Sequence, residues 1–283
     1  MVSQEPLLEV RDLAVSFAAE GGGRARAVDG VSLALHKGRT LAVVGESGSG
    51  KSVTALSILR LLPLPPQAII ERGEIIFDDR DLLKLPLRDM LPVRGGGVAM
   101  IFQEPMTSLN PVFTIGEQII EAIMRHHRVL RRAAKEMASV SLRDVGIHDP
   151  MLRMQQYPHQ FSGGMRQRVM IAMALACNPK VLLADEPTTA LDVTIAAQIL
   201  DLLRKLQQER GLAIMLITHD LGIVGQRADD VCVMYRGKIV ESGSVEEVLR
   251  NPQHAYTRAL LDCRPRLGKR VERLRTISDV LPA

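Results

Sequence analysis

Residues 45–52 read Gly45-Glu46-Ser47-Gly48-Ser49-Gly50-Lys51-Ser52. They fit the pattern GxxxxGK[ST]. The stretch lies between an apolar run, Thr40 to Val44, read as a strand, and a predicted helix from Lys51 to Leu62. The glycines let backbone N–H groups turn inward around phosphate oxygens, and the helix N-terminus adds the positive end of its dipole. In this reading Lys51 reaches the β- and γ-phosphates of a nucleotide, and the Ser52 hydroxyl binds Mg²⁺. The bland alternative is a chance glycine-rich turn, which the strand–loop–helix context disfavours.

Working outward, the chain alternates predicted strands and helices. Leu7 to Phe17, Val28 to Leu35 and Glu74 to Phe77 read as strands, with three glycines in the turn Glu20 to Arg26. Val98 to Phe102 follows. Residues 104 to 160 look different, a helical insertion with helices at Glu117 to His127 and Arg131 to Val145. From Ser162 the order is helix, strand (Val181 to Asp185), helix, strand (Ala213 to Thr218), helix, strand (Val231 to Tyr235). Such alternation predicts a largely parallel sheet covered by helices.

The run Val181-Leu182-Leu183-Ala184-Asp185-Glu186 is a buried strand ending in two acids, at the edge where open α/β sheets bind ligands. Asp185 would hold Mg²⁺ and Glu186 would act as general base on water. Taken alone, these are equally two solvated acids at a strand end. Phe161-Ser162-Gly163-Gly164-Met165 precedes another helix. It is either a serine N-cap with turn glycines or an anion-binding helix start.

The chain has 283 residues and 31.1 kDa, 46% hydrophobic and 24% charged, values that exclude intrinsic disorder. The longest apolar run, Val169 to Cys177, is nine residues, against the roughly 20 that span a bilayer. No basic start leads into an apolar stretch, so no secretory signal is expected. Three scattered cysteines form no CxxC pair, which fits a reducing compartment. The net charge of +4 comes from a surface rich in arginine, with 8 lysines among 36 basic residues. Aromatics at 3%, with no tryptophan, argue against a stacking platform for single-stranded nucleic acid. His126-His127 reads as a solvated helix face, because adjacent helical residues point about 100° apart. The basic stretch Arg264 to Arg275 reads as a solvated tail or a contact with anionic lipid.

Phosphate loop, aspartate–glutamate strand and SGG stretch, in this order, resemble the ATP-binding cassette (ABC) transporter ATPases over about residues 7 to 262. The resemblance implies an α/β fold: a RecA-like P-loop core with an N-terminal antiparallel β subdomain and a helical subdomain at roughly 104–178. One nucleotide-binding domain would cover 1–262, with a basic tail at 263–283. It implies that ATP lies on Gly45, Glu46, Ser47, Gly48, Ser49, Gly50, Lys51, Ser52 and Val53, with Phe17 stacked on adenine. The alternative for Phe17 is an ordinary core strand residue. Gln103 looks like the glutamine that senses Mg²⁺ and the lytic water, making Ser52, Gln103 and Asp185 the metal residues. Glu186, His219 and Gln103 look catalytic, with His219 contacting the γ-phosphate, and Asp192 belongs to the D-loop. Ser162, Gly163, Gly164 and Met165 form the signature that completes the site of a second cassette. Methionine replaces the family's usual glutamine at the fifth signature position and cannot hydrogen-bond as an amide does.

The stretches 45–54, Ile101 to Pro111 and Asn251 to Leu261 look like the D-type ATPase of bacterial dipeptide, oligopeptide, glutathione and nickel importers. The implied partners are two transmembrane permease subunits, a second ATPase of the F type or a second copy, and indirectly an extracytoplasmic substrate-binding protein, with no nucleic acid. The implied place is the cytoplasmic face of the inner membrane. Without the C-terminal cysteine cluster of many such subunits, the chain looks like a cluster-free member or the first half of a fused ATPase. The competing reading is a soluble cassette ATPase acting on DNA or ribosomes.

Overall fold

The computed structural model describes residues 5–19, 21–103 and 108–263. Glu104 to Thr107, within one stretch that carries the importer resemblance, and the basic tail after Cys263 lie outside the described residues. In chain order the elements are β1 (Leu8–Ala18), β2 (Arg24–Leu35), β3 (Thr40–Val44), α1 (Lys51–Ile58), β4 (Ala68–Phe77), β5 (Arg80–Asp81) and β6 (Val98–Ile101). There follow α2 (Ile115–His126), α3 (Arg131–Asp144), α4 (Pro150–Arg153), α5 (Gly163–Leu175), β7 (Val181–Asp185), α6 (Val193–Arg210) and β8 (Ala213–Thr218). The last are α7 (Leu221–Arg227), β9 (Asp230–Tyr235), β10 (Lys238–Ser244), α8 (Val245–Arg250) and α9 (Ala255–Asp262). They fall into two units: Met1–Leu83 with Met215–Ala283, and Lys84–Ile214.

In the first unit, β1 pairs antiparallel with β2 and β4, and the strand order is β2-β1-β4-β5. Leu8 faces Leu35 and Phe77; at the other end Phe17 faces Ala25 and Ala68. This pairing draws Arg24 to Arg26 and the start of β4 into the sheet, beyond the limits read from the sequence. The same unit holds β10-β9-β3 and, from Met215 on, β8, with β9 parallel to β3 and antiparallel to β10. All five residues of β3 are buried, as expected of a strand covered on both faces. Ala42 and Val44 pack with Val231, Val233, Leu221, Val224, Val245, Val248 and Tyr256, a core joining β3 and β9 to α7, α8 and α9. Burying each large side chain of this kind is worth about 1.5–3 kcal/mol.

Helix α1 stops at Ile58, short of Leu62. Arg60 takes φ +51°, its N–H donates to the Ser57 carbonyl, and the Leu61 N–H donates to that of Leu56. This paired closure satisfies the orphan carbonyls and ends the helix before Pro63.

The start of α9 is clamped by Glu241 on β10, whose carboxylate accepts from the N–H groups of Gln253 (2.6 Å) and His254 (3.0 Å). Partial burial alone would raise the Glu241 pKa, but the neighbouring Thr257 side chain and the N–H donors of Gln253 and His254 outweigh it and hold the carboxyl below its ordinary 4.5. A depressed carboxylate pKa stabilises the fold above the unfolded value, and that contribution disappears as pH falls through the folded value. The melting-temperature advantage of the native chain over Glu241→Gln is therefore expected to be full at pH 7. It should shrink as the pH drops below 4.5, and an advantage constant down to pH 3 would refute the clamp.

In the second unit β6 and β7 run parallel, Val98 beside Val181 and Ile101 beside Ala184. Thr114 caps α2 in a reciprocal box: its hydroxyl accepts from the Glu117 N–H, and the Glu117 carboxylate accepts from the Thr114 N–H. Because α2 ends at His126 and His127 is extended (φ −115°), the helical 100° separation does not apply to the pair. Both imidazoles line one cavity of about 620 Å³ with Leu91, Pro92, Arg125 and Cys177, where a solvated face was expected. Burial pushes the Cys177 thiol up to about 11 and the Cys232 thiol to about 12, so both stay protonated and unreactive at neutral pH.

Candidate functional site

The glycine-rich loop leaves β3 and enters α1 in the first unit. Gly45 (φ +156°) and Gly50 (φ +105°) are indispensable for two reasons. Left-handed backbone disfavours any other residue. A Cβ at Gly45 would also sit 2.2 Å from the Met234 carbonyl, and one at Gly50 would sit 2.6 Å from that of Ala27. Gly50 is the N-cap of α1 and offers no side chain to its first turn. The helix start is thus left to backbone N–H groups and the dipole.

Lys51 is 4% exposed. Its Nζ donates to the carbonyls of Gly45 (2.8 Å) and Glu46 (2.7 Å), with Ser49 Oγ at 3.5 Å. The loop therefore curls around its own ammonium. The Ser49 N–H donates to the Glu46 carbonyl, and the Ser49 carbonyl accepts from the Gly237 N–H. Phe17 is half-buried near the end of β1, rather than in the core. His219 follows β8 and is exposed; the neighbouring Asp220 caps α7 through the Gly222 N–H at 2.6 Å.

The second unit carries the acids. All of β7 is buried, and Asp185 at its end is 5% exposed. Glu186 takes φ +44°, a left-handed conformation that costs a non-glycine residue about 1 kcal/mol or more. Its Oε2 accepts from Gln103 Nε2 (3.1 Å) and Thr189 Oγ1 (2.8 Å). Two donors on one oxygen fix the direction of the other. The sequence reading does not single out Thr189 or its hold on Glu186. The signal is a hydroxyl three residues after the acid that follows a buried strand.

Ser162 is the N-cap of α5, its hydroxyl accepting from the Met165 N–H at 3.4 Å. Both readings of this stretch share that geometry. A Cβ on Gly164 would sit 2.7 Å from Ile195 Cγ2, so the glycine lets α5 approach α6. Asp192 caps α6, accepting from the Ile195 N–H at 2.9 Å. Gly164 and Asp192 thus meet through Ile195.

In the second unit Asp185 and Gln103 offer a carboxylate and an amide oxygen; in the first unit Ser52 offers a hydroxyl. Gln103 spends its amide nitrogen on Glu186, which leaves the oxygen as an acceptor. Hard oxygen donors of this kind suit Mg²⁺. Among the described residues no group of three or more His, Cys, Asp or Glu could hold a metal by itself.

Residues 28–189, more than half of the chain, match the family described as ABC transporter. The chain belongs to that family. Residues 240–283 of this ABC transporter ATPase further match the C-terminal region of oligopeptide/dipeptide transporters. It is 54% identical to the oligopeptide transport ATP-binding protein OppD of Bacillus subtilis, over 94% of this chain and 74% of that protein. It is 51% identical to the dipeptide transport ATP-binding protein DppD of the same organism, over 98% and 82%. It also aligns with 48% of the length of the peptidoglycan transport ATP-binding protein YejF of Agrobacterium fabrum, at 56% identity.

Among solved structures, a dimeric post-hydrolysis ATP-binding cassette bound to ADP and Pi superposes with TM-score 0.74 at 25% identity, over 84% of this chain and 98% of that one. The cbiO1 subunit of Clostridium perfringens does so with TM-score 0.74 at 26% identity, over 88% and 92%. The fold is a RecA-like P-loop core with an N-terminal β subdomain and a helical ABC subdomain. The protein is an ATP-binding, ATP-hydrolysing subunit of a transporter. Among the described residues no helix is long and apolar enough to cross a membrane.

Proposed function

We propose that this ATPase powers the import of dipeptides or oligopeptides from the cytoplasmic face of the inner membrane. The observation that carries the reading is the match of residues 240–283 to the oligopeptide/dipeptide C-terminal region, beyond the cassette itself. The relatives named for peptide transport support it. Two permease subunits cross the bilayer, a second ATPase or a second copy completes the pair, and a substrate-binding protein delivers cargo outside. Exposed Leu87, Leu91, Phe102, Val112, Phe113 and Met124, all in the second unit, supply apolar surface of the kind that membrane subunits cover.

In the proposed reaction Phe17 stacks on adenine and the loop 45–53 wraps the phosphates. Lys51 exchanges its carbonyl partners for β- and γ-phosphate oxygens. Ser52, Asp185 and the Gln103 oxygen would hold Mg²⁺, which neutralises charge on the phosphates. Glu186, aimed by Gln103 and Thr189, takes a proton from the attacking water while His219 contacts the γ-phosphate. Ser162, Gly163, Gly164 and Met165 of the second cassette close over the γ-phosphate, with Asp192 beside them. Charge on the transferring phosphoryl is thereby covered from both sides. Loss of the bridging phosphate then loosens the pair.

The test is affinity capture of tagged Glu186→Gln with ATP and Mg²⁺ from detergent-solubilised native membranes, read by mass spectrometry. Two multi-span permeases and a peptide-binding protein are expected. Recovery of ribosomal or DNA-bound partners without membrane proteins would overturn the transport reading.

A further inference from the structure

Among the described residues, the C-terminal region reaches the phosphate loop through a buried hydroxyl, that of Tyr256. Tyr256, in the first turn of α9, is 0% exposed. Its oxygen accepts a hydrogen bond from the Glu46 N–H at 3.0 Å, across 210 residues of sequence. Glu46 is thereby held on both sides. Its N–H goes to Tyr256, and its carbonyl accepts from Lys51 Nζ and the Ser49 N–H. The ring of Tyr256 lies 4.2 Å from that of Tyr235, tilted by 30°. Tyr235 leads through Arg236 into Gly237, whose N–H holds the Ser49 carbonyl at 3.0 Å. One aromatic pair thus braces the loop at Glu46 and at Ser49.

Tyr256 is itself anchored. Its N–H donates to His254 Nδ1, and Glu241 clamps the two residues before Ala255. Burial pushes its phenol up to about 12, so it stays a neutral partner through the physiological range. Glu46 lies within the segment that matches the ABC transporter family, and Tyr256 within the C-terminal segment.

We infer that Tyr256 is a positioning residue for nucleotide binding: through its hydroxyl the C-terminal segment sets the geometry of the phosphate loop and hence the affinity for ATP. This rests on residues 45–52 being the phosphate loop. The physical reason is that an N–H left unpaired beside a buried ring has to turn away to find a partner. Turning Glu46 moves the carbonyl that holds Lys51 and alters the cradle.

The experiment compares Tyr256→Phe, Tyr235→Phe and Lys51→Ala in the full chain, each on a Glu186→Gln background so that ATP is not consumed. Equilibrium ATP-Mg²⁺ binding, melting temperature and amide exchange of a peptide spanning Glu46 are measured. Steady-state ATPase of Tyr256→Phe with Glu186 intact, in the complex with its permeases, separates KM from kcat. Tyr256→Phe is expected to weaken ATP about tenfold, to raise KM with kcat within about twofold, and to speed exchange at Glu46. Tyr235→Phe keeps near-native affinity. Unchanged affinity in Tyr256→Phe with weakened affinity in Lys51→Ala overturns the inference and leaves the loop reading intact. Unchanged affinity in both overturns both. Equal losses of affinity and melting temperature in the two Tyr→Phe variants make Tyr256 a core residue only, which also overturns it.

Discussion

Glu186→Gln is expected to bind ATP with near-native affinity and to hydrolyse it about 100-fold more slowly. The glutamine keeps the shape of the side chain and an oxygen that can accept from Gln103 Nε2 and Thr189 Oγ1. It cannot take the proton of the attacking water, and a positioned general base is worth roughly 100- to 10,000-fold. Single-turnover hydrolysis and equilibrium nucleotide binding on the same preparation separate the two effects. Turnover within a factor of three of the native protein would remove Glu186 from the chemistry. The strained backbone at Glu186 and the two donors on one oxygen would then need another explanation.

The second large effect is on binding. Lys51→Ala is expected to weaken ATP about 10- to 100-fold, the range spanned by roughly 1.5–3 kcal/mol for charge-assisted hydrogen bonds. Two losses add here. The phosphates lose an ammonium, and the carbonyls of Gly45 and Glu46 lose the donor that curls the loop. AMP, with no β- or γ-phosphate for Lys51 to reach, should be affected least. Equal weakening of AMP and ATP would assign Lys51 a structural role in the loop instead.

The parts legible in the sequence are those where one local signal suffices. Thr40 to Val44, Val181 to Asp185 and Ala213 to Thr218 are apolar runs of five or six residues bounded by turns or polar residues. Their observed limits agree with the reading. What failed carries no local compositional signal. Strand β10 reads Lys-Ile-Val-Glu-Ser-Gly-Ser, mostly polar and half-exposed, and it is a strand because β9 pairs with it. Helix α1 was read too long because Leu59, Leu61 and Leu62 continue the apolar signal, while the left-handed turn at Arg60 carries no compositional mark. The site divides the same way. The loop, Asp185, Glu186 and Ser162 announce themselves by type and spacing. The hydroxyls of Thr189 and Tyr256 do not, because a hydroxyl acquires its role only from the atom the fold sets beside it.

The first unit is assembled from both ends of the chain, and this has a consequence for its birth on the ribosome. Strand β3 is buried beside β9, and Arg39 is ion-paired with Asp230, 191 residues further on. At about 5–20 residues per second, synthesis of that interval takes roughly 10–40 s. Throughout that time Thr40 to Val44, an apolar strand with nothing yet synthesised to cover one edge, is available to chaperones or to a neighbouring nascent chain. The second unit, continuous in sequence, can fold during the same wait. The phosphate loop is therefore among the first functional segments translated and among the last to reach its finished shape.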